Sequence, residues 1–133
     1  MTSILVVDGD TAARTAIRDV LELEGFEVVL AEGEGPGLKA IESADFDAVI
    51  IDLFVPGAEG LEPIRTLHQH APTVPIIALA SRKFRDCLGA GQDFLGMASR
   101  LGAAYCLYKP LMPRDLISAV ATCVGKGSSR EPH

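Results

Sequence analysis

The stretch SILVVDGD, residues 3–10, sets four consecutive β-branched or aliphatic residues, Ile4 to Val7, directly before a carboxylate. A strand with one wet face alternates apolar and polar residues, so an unbroken apolar run is the pattern of a strand buried on both faces. Such strands belong to parallel sheets with helices on either side, and this reading points to an α/β fold. The pattern returns in DAVIIDLFVPG (47–57), a third strand over residues 48–51 that ends in Asp52, and in IIALA (76–80), a fourth. FEVVLA (26–31) reads as the second strand and residues 105–108 as the fifth.

Helical spacing fills the gaps. From Asp10 or Thr11, either a good N-cap, Ala13, Ile17, Val20, Leu21 and Leu23 recur at helical intervals until Gly25 breaks them. After an EGEGPG turn (32–37) a short helix covers Leu38, Ala40 and Ile41; further helices are expected over residues 61–70, about 94–101 and 113–124. Pro113 suits a first helical turn. Five strands alternating with five helices is the doubly wound pattern, with helices on both faces of a parallel sheet. The expected organisation is one domain over residues 1–124 and a flexible tail, GKGSSREPH, over 125–133.

Length and composition agree with one compact domain: 133 residues, 48% hydrophobic and 23% charged. No apolar run approaches the roughly 20 residues of a membrane span, and no secretory leader pattern opens the chain, so a soluble cytoplasmic protein is expected. Cys87, Cys106 and Cys123 are an odd number at spacings that suit neither a disulfide framework nor a CxxC site, so each is expected as a reduced, mostly buried thiol. The net charge of −6 is uneven, with 14 acids against 3 bases in residues 1–63 and 4 acids against 9 bases in residues 64–133. An acidic chain lacks the basic footprint of a nucleic-acid binder, so no direct nucleic-acid contact and no membrane contact are expected.

In doubly wound folds the site lies beyond the carboxyl ends of the strands, where the strand order reverses. That rule selects Asp8 and Asp10, Asp52, Ala80 and Ser81, then Lys109 and Pro110. An acid at a strand end is commonly a solvated turn or a cap, and Asp10 is a ready cap for the first helix. The coincidence of acids and a lysine at one end of three strands is what carries weight. Gathered carboxylates repel one another unless a cation sits among them, which suggests a divalent metal. Mg2+ fits a site of oxygen ligands with no His or Cys cluster, and a nearby lysine can pair with a phosphoryl oxygen. An aspartate beside such an ion can act as a nucleophile toward phosphorus.

At these residues the chain resembles the receiver domain of two-component response regulators. ILVVDGD, VIIDLFVPGAEGLEPI, VPIIALAS and GAAYCLYKPL match that family's landmark segments in order and spacing, over residues 3 to 124. The resemblance implies a flavodoxin-like five-stranded parallel sheet of order 2-1-3-4-5. It implies Asp52 as phospho-acceptor and Asp8, Asp52 and the backbone carbonyl of Phe54 as Mg2+ ligands, with Asp10 as a further candidate. Lys109, before Pro110, takes the place of the family's lysine. The implied partners are a histidine kinase or a histidine phosphotransfer protein and a downstream protein effector. The implied contact face, also available to a homodimer, is that of the fourth helix, fifth strand and fifth helix.

Three departures stand against that pattern. Gly9 replaces the second of two adjacent acids, so metal affinity is expected to fall. Ala80 stands where the family has a phosphoryl-binding Thr or Ser, with Ser81 one place on, and a one-residue shift along a strand reverses side-chain direction. Cys106 occupies the position of the switch aromatic, flanked by Tyr105 and Tyr108. The segment after the fourth strand is longer than usual, and Arg82, Lys83 and Arg85 within it are candidates to supply a cation to a phosphoryl group, against the plainer reading of a solvated basic loop. His68 and His70 close a helix and need no phosphohistidine role. One rival reading is an interaction module that no longer depends on phosphate. Another takes VVDGDT as the DxDxT of a haloacid-dehalogenase-type phosphatase using Asp8 and Asp10; a flavin-binding reading lacks a phosphate-cradling loop. Retained phosphorylation without a turnover enzyme activity is the expectation that Asp8, Asp52 and Lys109 favour.

Overall fold

The computed structural model describes residues 2–52, 62–80 and 94–127. Its strands are β1 (Ser3–Val7), β2 (Glu27–Ala31), β3 (Ala48–Asp52), β4 (Ile76–Ala80) and β5 (Ala103–Tyr108). The helices among the described residues are α1 (Thr11–Leu23), α2 (Glu34–Ser43), α3 (Glu62–His70), α4 (Phe94–Leu101) and α5 (Pro113–Gly127). All strand pairs are parallel, as expected from the apolar runs, and the sheet order is β2-β1-β3-β4-β5, as the resemblance implied.

Alternation along the strands divides the core in two. Leu5, Val7, Val49, Ile51, Ile76, Ala78 and Ala80 face one side, where Leu38 and Ile41 of α2, Ile64 and Leu67 of α3 and Ala98 of α4 cover them. Ile4, Val6, Ala48, Ile50, Ile77 and Leu79 face the other, against Ile17 and Leu21 of α1 and Leu116, Ala119 and Val120 of α5. Each large aliphatic side chain buried this way contributes about 1.5–3 kcal/mol. The continuous runs are explained by this sandwich, since every residue of β3 and β4 is buried.

Several boundaries differ from the sequence reading. The second helix starts at Glu34, inside the segment read as a turn. Pro36 is tolerated in its first turn, where backbone N–H groups lack helical partners. Gly37 makes a close approach there, since a Cβ would meet Val7 Cγ2 at 3.1 Å, tighter than ordinary contact. Leu23, counted on the apolar stripe of α1, is 86% exposed. The last helix runs on to Gly127 rather than ending at 124. β5 begins two residues early and carries an irregularity, since Ile76 pairs with Ala103 but Ile77 with Tyr105. Ala104 is the extra residue of a bulge, and it reverses which face the rest of the strand presents.

Candidate functional site

Asp52 closes β3, Asp8 follows β1, and Lys109 follows β5. Each is held by the sheet's own hydrogen bonding, with the Asp8 N–H donating to Ala31 O at 3.1 Å and the Lys109 N–H to Ala80 O at 2.8 Å. The side chains then converge. Lys109 Nζ donates to Asp8 Oδ2 at 2.8 Å and to Asp52 Oδ2 at 3.1 Å. Asp8 is 0% exposed and Asp52 7%, whereas the lysine side chain keeps 24% of its surface. Two carboxylates removed from water this far require a cation, and among the described residues the Lys109 ammonium pairs with both. Burial works to lower the lysine pKa, but the hydrogen bond to Asp8 and the charges of Asp52 and Asp8 outweigh it, so the ammonium holds its proton above the usual lysine range.

Comparison with known proteins decides the family. Residues 4–121 match the family profile of the response regulator receiver domain. The chain belongs to the response regulator receiver family.

Among relatives of this receiver, the response regulator MprA of Mycolicibacterium vanbaalenii is 35% identical over 115 residues, covering 86% of this chain and 47% of that protein. The "transcriptional regulatory protein CpxR homolog" of Haemophilus influenzae is 30% identical over an alignment of 134 positions, covering 97% and 53%. The chain thus spans about half the length of the curated relatives it matches. Among solved structures, a receiver domain from Clostridium thermocellum superposes with a TM-score of 0.84 at 25% identity, covering 97% of this chain and 98% of that one. A CheY-like receiver from Methanospirillum hungatei gives 0.82 at 28% identity, covering 98% of each. The receiver is a signalling domain of two-component systems, and response regulators work with histidine kinases and downstream effectors.

The expected site residues are placed differently from one another. Asp8, Asp52 and Lys109 are brought together. Asp10 does something else in this structure: its Oδ1 accepts the Ala12 N–H at 3.3 Å as the N-cap of α1, and the residue is exposed. The phosphatase reading, which needs Asp10 as an acid beside Asp8, therefore finds that carboxylate engaged on a helix. Phe54, Ser81, Arg82, Lys83, Arg85 and Cys87 lie outside the described residues.

Ala80 is fully buried on the α2–α3–α4 face, and Cys106 lies on that same face of the sheet, paired with Ala78. The two departures from the family's switch are thus two places apart along one sheet face, both with small side chains. Burial pushes the Cys106 thiol up to about 11, so it stays protonated and unreactive at neutral pH. Tyr105 and Leu107 pack on the opposite face. Tyr105 is therefore turned away from Ala80, whereas Tyr108, 36% exposed, is the residue that pairs with Ala80.

The donor set fits a hard divalent cation. Asp8 and Asp52 bring two carboxylates to one place, the kind and number of anionic ligands Mg2+ commonly takes from protein. Among the described residues no cluster of three or more acidic, His or Cys side chains adds to them.

Sequence reasoning missed Arg14. Its Nη1 donates to the main-chain oxygen of Asp8 at 2.7 Å and its Nη2 to Thr11 Oγ1 at 3.0 Å. The available signal was an arginine in the first turn of the helix that follows the acidic strand end. Beside Lys109 and Pro110, whose peptide bond is cis, an apolar groove of about 270 Å3 opens between α1 and α5, lined by Ala13, Ile17, Val20, Leu111 and Leu116.

Proposed function

We propose that this receiver accepts a phosphoryl group on Asp52 from a phosphohistidine of a histidine kinase or histidine phosphotransfer protein, and signals through protein contacts. The observation that carries the reading is the shared ammonium: one lysine bonded to both Asp8 and Asp52 at the carboxyl ends of three strands. An Asp52 carboxylate oxygen forms the new bond to phosphorus as the bond from phosphorus to the donor nitrogen breaks. Lys109 exchanges a carboxylate partner for a phosphoryl oxygen, so its charge stays paired as charge moves onto the transferring group. Asp8, buried beside it, orients that ammonium. Asp8, Asp52 and the main-chain oxygen of Phe54 would hold a Mg2+ ion, which would supply further neutralisation of the phosphoryl oxygens. With Ala80 offering no hydroxyl and Cys106 no aromatic ring, activation proceeds without the two-residue switch, and the signal is read at the face of α4, β5 and α5, which also serves any dimer. No turnover enzyme activity is part of this reading, because the phosphoryl group stays on the chain.

Incubation with Mg2+ and a small acyl phosphate, followed by intact-mass measurement, tests it. The wild-type chain is expected to gain one phosphoryl group and Asp52→Ala none. No added mass, or mass retained in Asp52→Ala, overturns the acceptor reading and leaves a phosphate-independent interaction module.

A further inference from the structure

The oxygens of Asp8 are more fully engaged than a metal ligand alone requires. Oδ2 takes Lys109 Nζ at 2.8 Å, Oδ1 takes the Asp10 N–H at 2.9 Å, and the main-chain oxygen takes Arg14 Nη1 at 2.7 Å. Between Asp8 and Asp10 stands Gly9, and its φ is not among the positive values, which belong to Gly25 and Gly102. The turn therefore does not demand a glycine, yet a glycine there gives the peptide after Asp8 the widest conformational freedom of any residue.

We propose that Arg14 is the positioning residue that offsets this freedom and aims the Asp8 carboxylate. Its functional meaning rests on the acceptor reading above, but its geometry does not. Arg14 sits in the first turn of α1, where its own N–H donates to Asp10 O at 3.0 Å, so the guanidinium is carried on a rigid element. Its planar fork reaches two acceptors at once, the Asp8 carbonyl and Thr11 Oγ1. Pinning the Asp8 carbonyl fixes the plane of the 8–9 peptide. The Asp10 N–H that holds Oδ1 belongs to the next peptide, and with Gly9 between them a fixed 8–9 peptide narrows the orientations that N–H can take. Without the fork, the 8–9 peptide is free to rotate, the Asp10 N–H leaves Oδ1, and the carboxylate is tied to Lys109 alone. Displacement of a reacting group by 1 Å is enough to slow a reaction by about 100-fold, and loss of a group that orients a metal ligand commonly costs about 10- to 100-fold in metal affinity.

The test uses the intact chain as wild type, Arg14→Ala, Arg14→Gln and Arg14→Lys. Arg18→Ala serves as control, since it removes the same charge from an outward position on the same helix, where Arg18 pairs with Asp19 and Glu22. The first readout is the Asp10 amide resonance in metal-free protein, a direct signature of its bond to Oδ1; the second is calorimetric binding of Mn2+ alone; the third is the rate of phosphoryl gain from a small acyl phosphate. Arg14→Ala is expected to move the Asp10 amide to the position of a solvent-bonded amide and to weaken Mn2+ about ten-fold relative to Arg18→Ala. Arg14→Lys, which keeps one donor without the fork, recovers part of that loss. Arg14→Gln, neutral and close in shape, replaces the alanine variant if that one does not fold. An Asp10 amide and a Mn2+ affinity equal to those of Arg18→Ala overturn the proposal. A wild-type chain that takes no phosphoryl group sinks the acceptor reading alone, and the Asp10 and Mn2+ measurements still decide the role of Arg14.

Discussion

Lys109 Nζ lies 2.8 Å from Asp8 Oδ2, across 101 residues of sequence. In the sheet their strands are three spacings apart, about 14 Å at the usual strand separation, so the lysine side chain reaches back over the ends of the intervening strands. On the way it also meets Asp52, the last residue of β3. One long flexible cation thereby links the sheet edge to its centre.

Removing that cation takes the counter-charge from Asp8, a fully buried carboxylate. Lys109→Met is expected to lower the unfolding free energy by about 3 kcal/mol at neutral pH. Urea unfolding of the single variant and of Lys109→Met with Asp8→Asn measures the coupling, and the double variant should be the more stable of the two, because it no longer buries an uncompensated charge at position 8.

Alkaline pH gives a second expectation. Cys106 and Lys109 both hold their protons more tightly in the folded chain than in the unfolded one, Cys106 rising from 9.0 to about 11 and Lys109 lying above 10.5. The folded state therefore binds more protons in this range, and stability falls as pH rises. The Cys106 contribution is whole below pH 9.0 and lost toward about 11, and the Lys109 contribution starts to decline above 10.5. Unfolding curves from pH 8.5 upward should show a slope that Cys106→Ala flattens from 9.0 and Lys109→Met flattens only above 10.5.

Gly9 is open to replacement by the acid usual in the family. Its φ is not positive, so a side chain meets no conformational bar there. A unit charge near a cation is worth about 4 kcal/mol at an effective dielectric of 20 before desolvation is subtracted, and Gly9→Asp should tighten Mg2+ at least about ten-fold, or roughly 1.4 kcal/mol. Calorimetry with Mg2+ alone checks this; unchanged affinity would show that Asp8 and Asp52 do not form the cation site.

At the opposite end of the sheet, Gly102 has φ +120 and a Cβ there would lie 2.6 Å from His68 Cγ. Gly102→Ala should cost about 2 kcal/mol or more, part from the backbone and part from the clash. Adding His68→Ala should recover the clash and leave the backbone cost, which a comparison of melting temperatures resolves.

The fold was legible because β1, β3 and β4 are buried on both faces, and a strand in that position has no use for alternation. Asp8, Asp52 and Lys109 were legible for a related reason: each is the polar residue that ends an apolar run, and parallel strands put all their carboxyl ends on one side. Arg14 was not, because it acts through a hydrogen bond to a main-chain oxygen, and a carbonyl leaves no mark in a sequence. The start of α2 inside EGEGPG was hidden as well, since glycine and proline favour turns in isolation. In the fold that segment opens α2 at Glu34, with Gly37 set closely against Val7.

What the amino-acid order determined by itself was the alternation of elements, the parallel sheet and the end of it where acids and lysine meet, because burial pattern and chain direction depend on local periodicity. Which face each side chain of β5 presents was decided only in three dimensions. The bulge at Ala104 turns Cys106 toward Ala78 and Ala80 and Tyr105 toward α1 and α5. A single extra residue in a ladder reverses a period of two, and nothing local to the strand announces it.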